Sequence, residues 1–196
     1  MIIGLIPSRL NSKRLKHKPL LNIDGLPIIV HSYKRSKLSK KLDDVIVCTD
    51  HKRIINVVQE NGGKAILTSK RHKNGTERIY EVAKKIKNAE LIIDIQGDQP
   101  LIDPYSIDKT IEFHKKNKHF DIVLGSMPII EIPENKSLVK NVFSGNKIIY
   151  FSREKTPYDY NKKKIKYYKN LSIVSFKPEA LKKFCESKMT KLEKIE

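Results

Sequence analysis

Between Ile2 and Gly25 the chain sets four apolar residues (Ile2, Ile3, Leu5, Ile6), then Pro7, then a run of cations: Arg9, Lys13, Arg14, Lys16 and Lys18, with Ser12 and His17 among them. Guanidinium forks and ammonium points both match phosphate oxygens, so this loop suits a phosphate-rich ligand such as a nucleoside triphosphate. A solvated basic loop is the competing reading. The segment is not a Walker A loop, because it lacks the glycines and the Gly-Lys-Ser/Thr ending. A second candidate is Leu91–Ile102, LIIDIQGDQPLI, where an apolar run stops at Gln96, Gly97 and Asp98 and Pro100 turns the chain away. A carboxylate there can hold a magnesium ion that bridges phosphates, and Gly97 lets the backbone approach a ligand. Gly, Asp and Pro are equally the ordinary residues of a strand-to-turn transition. The third is Thr68–Arg78, TSKRHKNGTER, a polar loop leading into a helix near Thr76. A helix N-terminus after glycine offers N–H groups to a base or an anion, and Asn74 or Thr76 also reads as a plain N-cap with Glu77 in the first turn. His72 has no second histidine or carboxylate at ligand spacing in the sequence, which argues against a metal role.

The elements that would position these loops alternate. Apolar runs at Ile2–Ile6, Val45–Cys48, Ala65–Leu67, Leu91–Ile95 and Ile122–Leu124 predict strands, and the intervening Pro27–Lys37, Lys52–Asn61, Thr76–Lys87 and Pro104–Lys116 predict helices. Asp50 is the expected N-cap of the second helix, and Gly62-Gly63 its stop. Such βαβα alternation with apolar strands predicts an α/β fold, a doubly wound, mostly parallel sheet with helices on both faces and its ligand at the carboxyl ends of the strands. After Leu124 the rhythm changes: Val139–Phe143 and Lys147–Phe151 flank Ser144-Gly145-Asn146 as a hairpin. Asp159–Lys169 reads as a basic solvated loop, Leu171–Phe176 as a strand and Pro178–Cys185 as a helix. The organisation is one domain over residues 1–196. It comprises a nucleotide-binding core (1–130), a β-rich extension (131–176) and the start of a C-terminal helical part (177–196).

The bulk properties exclude several classes. No apolar run approaches the ~20 residues of a membrane span, and no positive region precedes the first apolar run as in a secretory signal. Two isolated cysteines, Cys48 and Cys185, support neither a disulfide framework nor a zinc site. A cytoplasmic location is the expectation. The formal net charge of +18 invites a nucleic-acid partner, but the lysines are scattered through most segments beside Ile and Asn. That pattern fits a general enrichment in lysine, so neither a specific nucleic acid nor a membrane is expected as a partner.

Taken in order, IPSRLNSKRLKHKPL, IDGLPIIVHS, IVCTD, the H-x-x-G-T-E-R segment, IQGDQPLI, SLVKNVF, YFSREKTPY, YYKNLSIVSF and KLEKIE closely resemble the 3-deoxy-manno-octulosonate cytidylyltransferases. These are the CMP-Kdo synthetases of lipopolysaccharide assembly, and the likeness runs along essentially the whole chain. The resemblance implies a nucleotide-diphospho-sugar transferase-like fold and a homodimer formed through the β-rich extension. It implies a reaction that couples CTP to the anomeric hydroxyl of the acidic sugar Kdo, giving CMP-Kdo and pyrophosphate with Mg2+ as cofactor. Carried over by position, Arg9, Arg14 and Lys18 grip the triphosphate. Thr49, Asp50, Gly75, Thr76 and Gln96 surround the cytidine, Asp98 holds magnesium and Arg153 lies on the sugar side. Lys18, Arg14 and Asp98 form the catalytic set.

The chain also departs from the family pattern. Gln99 replaces a usual glutamate, and Asn170, Ser172 and Val174 stand where the family usually has histidine, glycine and tyrosine. These positions leave open 8-amino-Kdo or another ulosonic acid as substrate. The resemblance further implies that family members continue past the position of Glu196 with a helix, a strand and an aspartate that supplies a second magnesium ligand. The expectation is a fragment or a shortened form, for which a non-catalytic CTP-binding remnant is the alternative function.

Overall fold

The structure, a computed structural model, describes residues 1–11, 15–129, 138–160 and 165–191. Arg14 therefore lies outside the described residues. Eight strands form one sheet: β1 (Ile2–Ser8), β4 (Asp44–Thr49), β5 (Ala65–Leu67), β6 (Leu91–Ile95), β7 (Ile122–Ile129), β8 (Lys140–Ser144), β9 (Lys147–Ser152) and β10 (Tyr167–Phe176). A small ribbon of β2 (Asn22–Ile23) and β3 (Leu26–Pro27) stands apart. The helices are α1 (Ile28–Ser36), α2 (Lys52–Glu60), α3 (Gly75–Ala83), α4 (Pro104–Lys116) and α5 (Pro178–Glu186).

In the core, β5, β4, β1 and β6 lie side by side and parallel. The chain runs outward from β1 through β4 to β5, and α3 then carries it back to β6 on the other side of β1. The winding reverses between β1 and β6, and ligands of such sheets bind where strand order reverses, beyond the carboxyl ends. Alternation along β1 explains the two-sided core. Ile2 and Ile6 face one way, with Ile29, Ile54, Ile107 and Ile111 of α1, α2 and α4. Ile3 and Leu5 face the other, with Ile79 and Leu181 of α3 and α5. Each such fully buried aliphatic side chain contributes roughly 1.5–3 kcal/mol.

Helix starts follow the local chemistry. Asn74 caps α3 by accepting from Glu77 N, and Asp103 caps α4 by accepting from Tyr105 N and Ser106 N. The expected cap of α2 is corrected: His51, not Asp50, accepts from Arg53 N, because the Asp50 carboxylate is committed elsewhere. Gly62 at φ 75 and Gly63 N donating to Val58 O end α2 as expected.

The extension joins the core through one bent strand. β10 pairs antiparallel with β6 through Ile173–Phe176, with β7 on its other edge along most of its length, and with β8 at Lys169. Thus Ile122–Leu124, read from sequence as a further strand of the parallel series, is separated from β6 by an antiparallel strand from late in the chain. The basic segment Asp159–Lys169 is also corrected in part. Tyr167–Lys169 belongs to β10, and Tyr167 is 5% exposed with its hydroxyl donating to Pro157 O. No helix among the described residues is long and apolar enough to cross a membrane.

Candidate active site

Around Pro7, at the carboxyl end of β1, the turn after β6 and the start of α3 pack closely enough to favour glycine at two points. A Cβ on Gly97 would come within 3.0 Å of Pro7 O, and one on Gly75 within 3.0 Å of the Pro7 ring. Ser32 of α1 fixes this turn by donating to Gly97 O at 3.1 Å. Around the junction opens a cleft of about 580 Å³ walled by Pro7–Arg9, by Lys18 and Pro19, by the loop and first turn of α3, and by Gln96–Asp98. The three segments singled out in the sequence therefore share one cavity at the switch point of the sheet.

Its charged end is made from the first loop and the β6 turn. After the undescribed residues 12–14, His17 adopts φ 54 and a single 3-10 turn, Lys18–Leu20, folds back over the cleft. Lys18 Nζ then lies 2.5 Å from Asp98 Oδ2. Arg9 is exposed on the same wall, and Lys73 and His72 face it from the loop before α3. The reading of His72 as remote from carboxylates is corrected. Glu77 and Glu81, one helical turn apart on α3, both turn towards it, Glu81 Oε2 at 2.6 Å from Nε2. The Ser69 amide and His72 hold the Glu81 carboxyl below its ordinary range, although its partial burial acts first and in the opposite direction.

A buried network orders the walls of the cleft, and of its members Arg78 reaches the wall itself. Asp50 accepts from Leu10 N at 3.1 Å and pairs with Arg78 at 3.3 Å. Arg78, 4% exposed, also donates to Thr68 Oγ1 and Ser69 O. This network ties the first loop to β4, α3 and the loop before it. Asp50 and Thr49, read as cytidine neighbours, do not lie on the cleft wall. Thr49 is fully buried, and its hydroxyl has no partner among the described residues. Gly75 and Gln96 do line the cleft, and Thr76 turns its hydroxyl inward to Asp94 Oδ2 at 3.4 Å. Arg153 follows β9, exposed and off the wall of this cleft, with its carbonyl gripped by the buried Lys140 Nζ.

A model of the cytidylyltransferase family matches residues 3–196. The chain belongs to the cytidylyltransferase family. It is accordingly a CTP-dependent nucleotidyltransferase, with the three segments singled out in its sequence gathered at one strand-end cleft. The chain is 42% identical over 197 residues to a 3-deoxy-manno-octulosonate cytidylyltransferase of Fusobacterium nucleatum, covering 99% of this chain and 80% of that one. It is 35% identical over 201 residues to an 8-amino-3,8-dideoxy-manno-octulosonate cytidylyltransferase of a Shewanella species, covering 100% of this chain and 82% of the other. Its fold matches a solved CMP:2-keto-3-deoxy-manno-octonic acid synthetase complexed with CTP at TM-score 0.91 and 32% identity, over 99% of this chain and 81% of that one.

Two features of this cytidylyltransferase escaped sequence reading. Asp94, the one charged residue of β6, is 2% exposed and accepts from Thr76 Oγ1 and from Gln96 Nε2 at 3.2 Å. Burial pushes its carboxyl up to about 7, against the two hydrogen bonds that pull it down. A lone acid inside an otherwise apolar strand was the available signal. Ser8, 6% exposed, borders the cleft, and its buried hydroxyl has no partner among the described residues. One departure from the family pattern also acquires a place. Ser172 sits at φ 58 in the bulge of β10, its N–H held by Asn170 Oδ1 at 2.7 Å, and its carbonyl accepts from Gln96 N.

As for a metal, no group of three or more His, Cys, Asp or Glu among the described residues could hold an ion. Asp98 alone, 45% exposed beside Lys18, fits an ion that arrives on the phosphates, since magnesium is usually bound through one or two carboxylates plus substrate oxygens.

Proposed function

We propose that this cytidylyltransferase couples CTP to 3-deoxy-manno-octulosonate, giving CMP-Kdo and pyrophosphate for lipopolysaccharide synthesis in the cytoplasm. The observation that carries the reading is the convergence of Arg9, Lys18 and Asp98 on one switch-point cleft, in a chain similar over almost its whole length to Kdo-activating relatives. The sugar's anomeric hydroxyl oxygen bonds to the α-phosphorus. The bond from that phosphorus to the β-phosphate oxygen breaks, pyrophosphate leaves and the hydroxyl proton passes to solvent. Arg9 and Lys18 are positioned to hold the triphosphate and offset the charge that grows on the leaving group. Each charged hydrogen bond of this kind contributes on the order of 1.5–3 kcal/mol. Gly75 and Gln96 form the less charged end of the cleft and are assigned to the cytidine. When magnesium is bound, Asp98 would hold it and it would supply further charge neutralisation at the phosphates. Arg153, and beyond the described residues Arg14, are assigned by position to the sugar acid and the triphosphate.

The homodimer is part of the same proposal. β9 is an edge strand that exposes Ile149 (64%) and Phe151 (39%), and an apolar hollow of about 780 Å³ lies beside it between β7, α4 and the hairpin. Beyond the exposed Lys147 the strand carries no charge, and an apolar edge of this kind favours pairing.

The assay is release of pyrophosphate from CTP, with magnesium, on addition of Kdo or of 8-amino-Kdo. Turnover with Kdo is expected. Turnover with 8-amino-Kdo alone would replace the sugar, an alternative that Asn170, Ser172 and Val174 leave open and that the Shewanella relative represents. Binding of CTP with no turnover on either acid would instead support a non-catalytic remnant.

A further inference from the structure

We infer that Asp94 is a positioning residue for nucleobase choice: from beneath the cleft it fixes the Gln96 amide so that its oxygen faces the base. The inference rests on the proposed placing of the cytidine at the Pro7–Gly75–Gln96 end of the cleft. Asp94 lies in register with Leu5 of β1 and Val174 of β10, in the middle of the sheet. Its two carboxylate oxygens are divided between two donors: Oδ1 takes Gln96 Nε2 at 3.2 Å and Oδ2 takes Thr76 Oγ1 at 3.4 Å.

A carboxylate only accepts, so the nitrogen of the amide is the end it captures. The amide oxygen is then directed away from Asp94, and Gln96 is itself a wall of the cleft. The backbone of Gln96 is held as well, by donation of its N–H to Ser172 O at 3.4 Å. Gly75 borders the same amide, a Cβ built there standing 3.9 Å from Nε2.

The consequence is chemical selectivity. Cytosine presents an exocyclic amino donor where uracil presents a carbonyl acceptor. A freely turning glutamine serves either base, because its amide has both a donor and an acceptor end. A glutamine whose nitrogen is turned onto Asp94 presents its oxygen to the base, which satisfies the cytosine amino group and opposes the uracil oxygen. Sites built to pair a polar group of the ligand reject analogues that leave it unpaired far more strongly than apolar pockets reject shape changes.

The test measures affinity for CTP and for UTP by titration calorimetry at pH 8, on wild type, Asp94→Leu, Asp94→Asn and Gln96→Leu, with far-UV circular dichroism as the check of folding. Wild type is expected to prefer CTP by at least about tenfold. Asp94→Leu should lower that preference about tenfold, which corresponds to about 1.4 kcal/mol. Asp94→Asn should retain most of it, because its Oδ1 can still accept from Gln96. Gln96→Leu removes the amide from the cleft wall, together with one of the two donors to Asp94, and should lose the preference as well, which keeps the inference testable even if Asp94→Leu does not fold. A wild-type preference that survives in Gln96→Leu or in folded Asp94→Leu would overturn it, and so would a wild type that does not discriminate. Because binding is read without any sugar, failure of turnover with both sugar acids would count against the proposed reaction and leave this inference standing.

Discussion

Lys18 Nζ and Asp98 Oδ2 stand 2.5 Å apart although 80 residues separate them in the chain. One comes from a loop that turns back after β1, the other from the turn that follows β6, and the parallel pairing of those two strands is what brings them together. The pair is partly exposed, at 29% and 45%, so its contribution to stability is small, about 0–1 kcal/mol. Its importance is in presenting a cation and a carboxylate at one point of the proposed phosphate site. Lys18→Ala and Asp98→Ala should each reduce CTP-dependent pyrophosphate release about 10²–10³-fold, with little change in melting temperature. Wild-type activity in Asp98→Ala would remove the proposed metal role.

The Arg78–Asp50 pair should behave in the opposite way. Arg78 is 4% exposed and serves three acceptors. Arg78→Ala strands the Asp50 carboxylate and should destabilise the protein by about 3–5 kcal/mol. Asp50→Asn, which still accepts from Leu10 N, should do less harm. Urea unfolding of the two variants checks the order.

Asp94 makes a pH-dependent contribution of unusual sign. Its folded pKa of about 7 lies above the ordinary 3.8, so between those values the folded protein binds more protons than the unfolded chain. This group's contribution to stability is therefore present below about pH 4 and is lost as pH rises towards 7. Of the titratable groups whose charge couples to it, the Cys48 and Cys185 thiols are pushed up by burial and stay neutral through this range. Asp94→Asn should flatten the loss between pH 4 and 7, and the difference from wild type should reach a few kcal/mol at neutral pH. Denaturant melts of both proteins across that range measure it; parallel curves would contradict it.

Ser172 holds a left-handed conformation, φ 58, that glycine adopts without strain. Ser172→Gly should raise stability by about 0.5–1 kcal/mol, seen as a melting-temperature increase of a few degrees. The bulge, and with it the carbonyl that receives Gln96 N, should be kept.

Phe151→Glu should break the proposed dimer at the β9 edge, where Ile149 and Phe151 are exposed. Analytical ultracentrifugation would show a dimer for wild type and a monomer for the variant. A wild-type monomer would remove the dimer from the proposal.

Much of the architecture was legible because its physics is local. The apolar runs of β1, β4 and β6 are largely buried on both faces and carry no polar interruption except Asp94, β5 lies half-buried at the edge of the sheet, and Asn74 and Asp103 mark their helix starts in the usual way. The misreadings arose where a distant partner outbid a local one. Asp50 abandons the cap of α2 for Arg78 and the Leu10 amide. Tyr167–Lys169, basic and loop-like by composition, becomes strand because β7 and β8 flank it. The insertion of β10 between β6 and β7 depends on pairing between segments far apart in the chain, which no local pattern encodes.

For the site the division is similar. Arg9, Lys18, Gly75, Gln96 and Asp98 announced themselves by residue type at the ends of periodic segments, and their order along the chain carried the family. Which of them share a wall was decided by the reversal of winding between β1 and β6. That reversal sets Pro7 against Gly75 and Gly97, turns Lys18 onto Asp98, and leaves Thr49 and Asp50 behind the wall. The sequence by itself determined the chemistry available: cations, one exposed carboxylate and an amide, each at a strand or helix end. Only the tertiary structure decided their geometry, because side-chain position at a sheet edge depends on register and strand order, and both are set by contacts many residues apart.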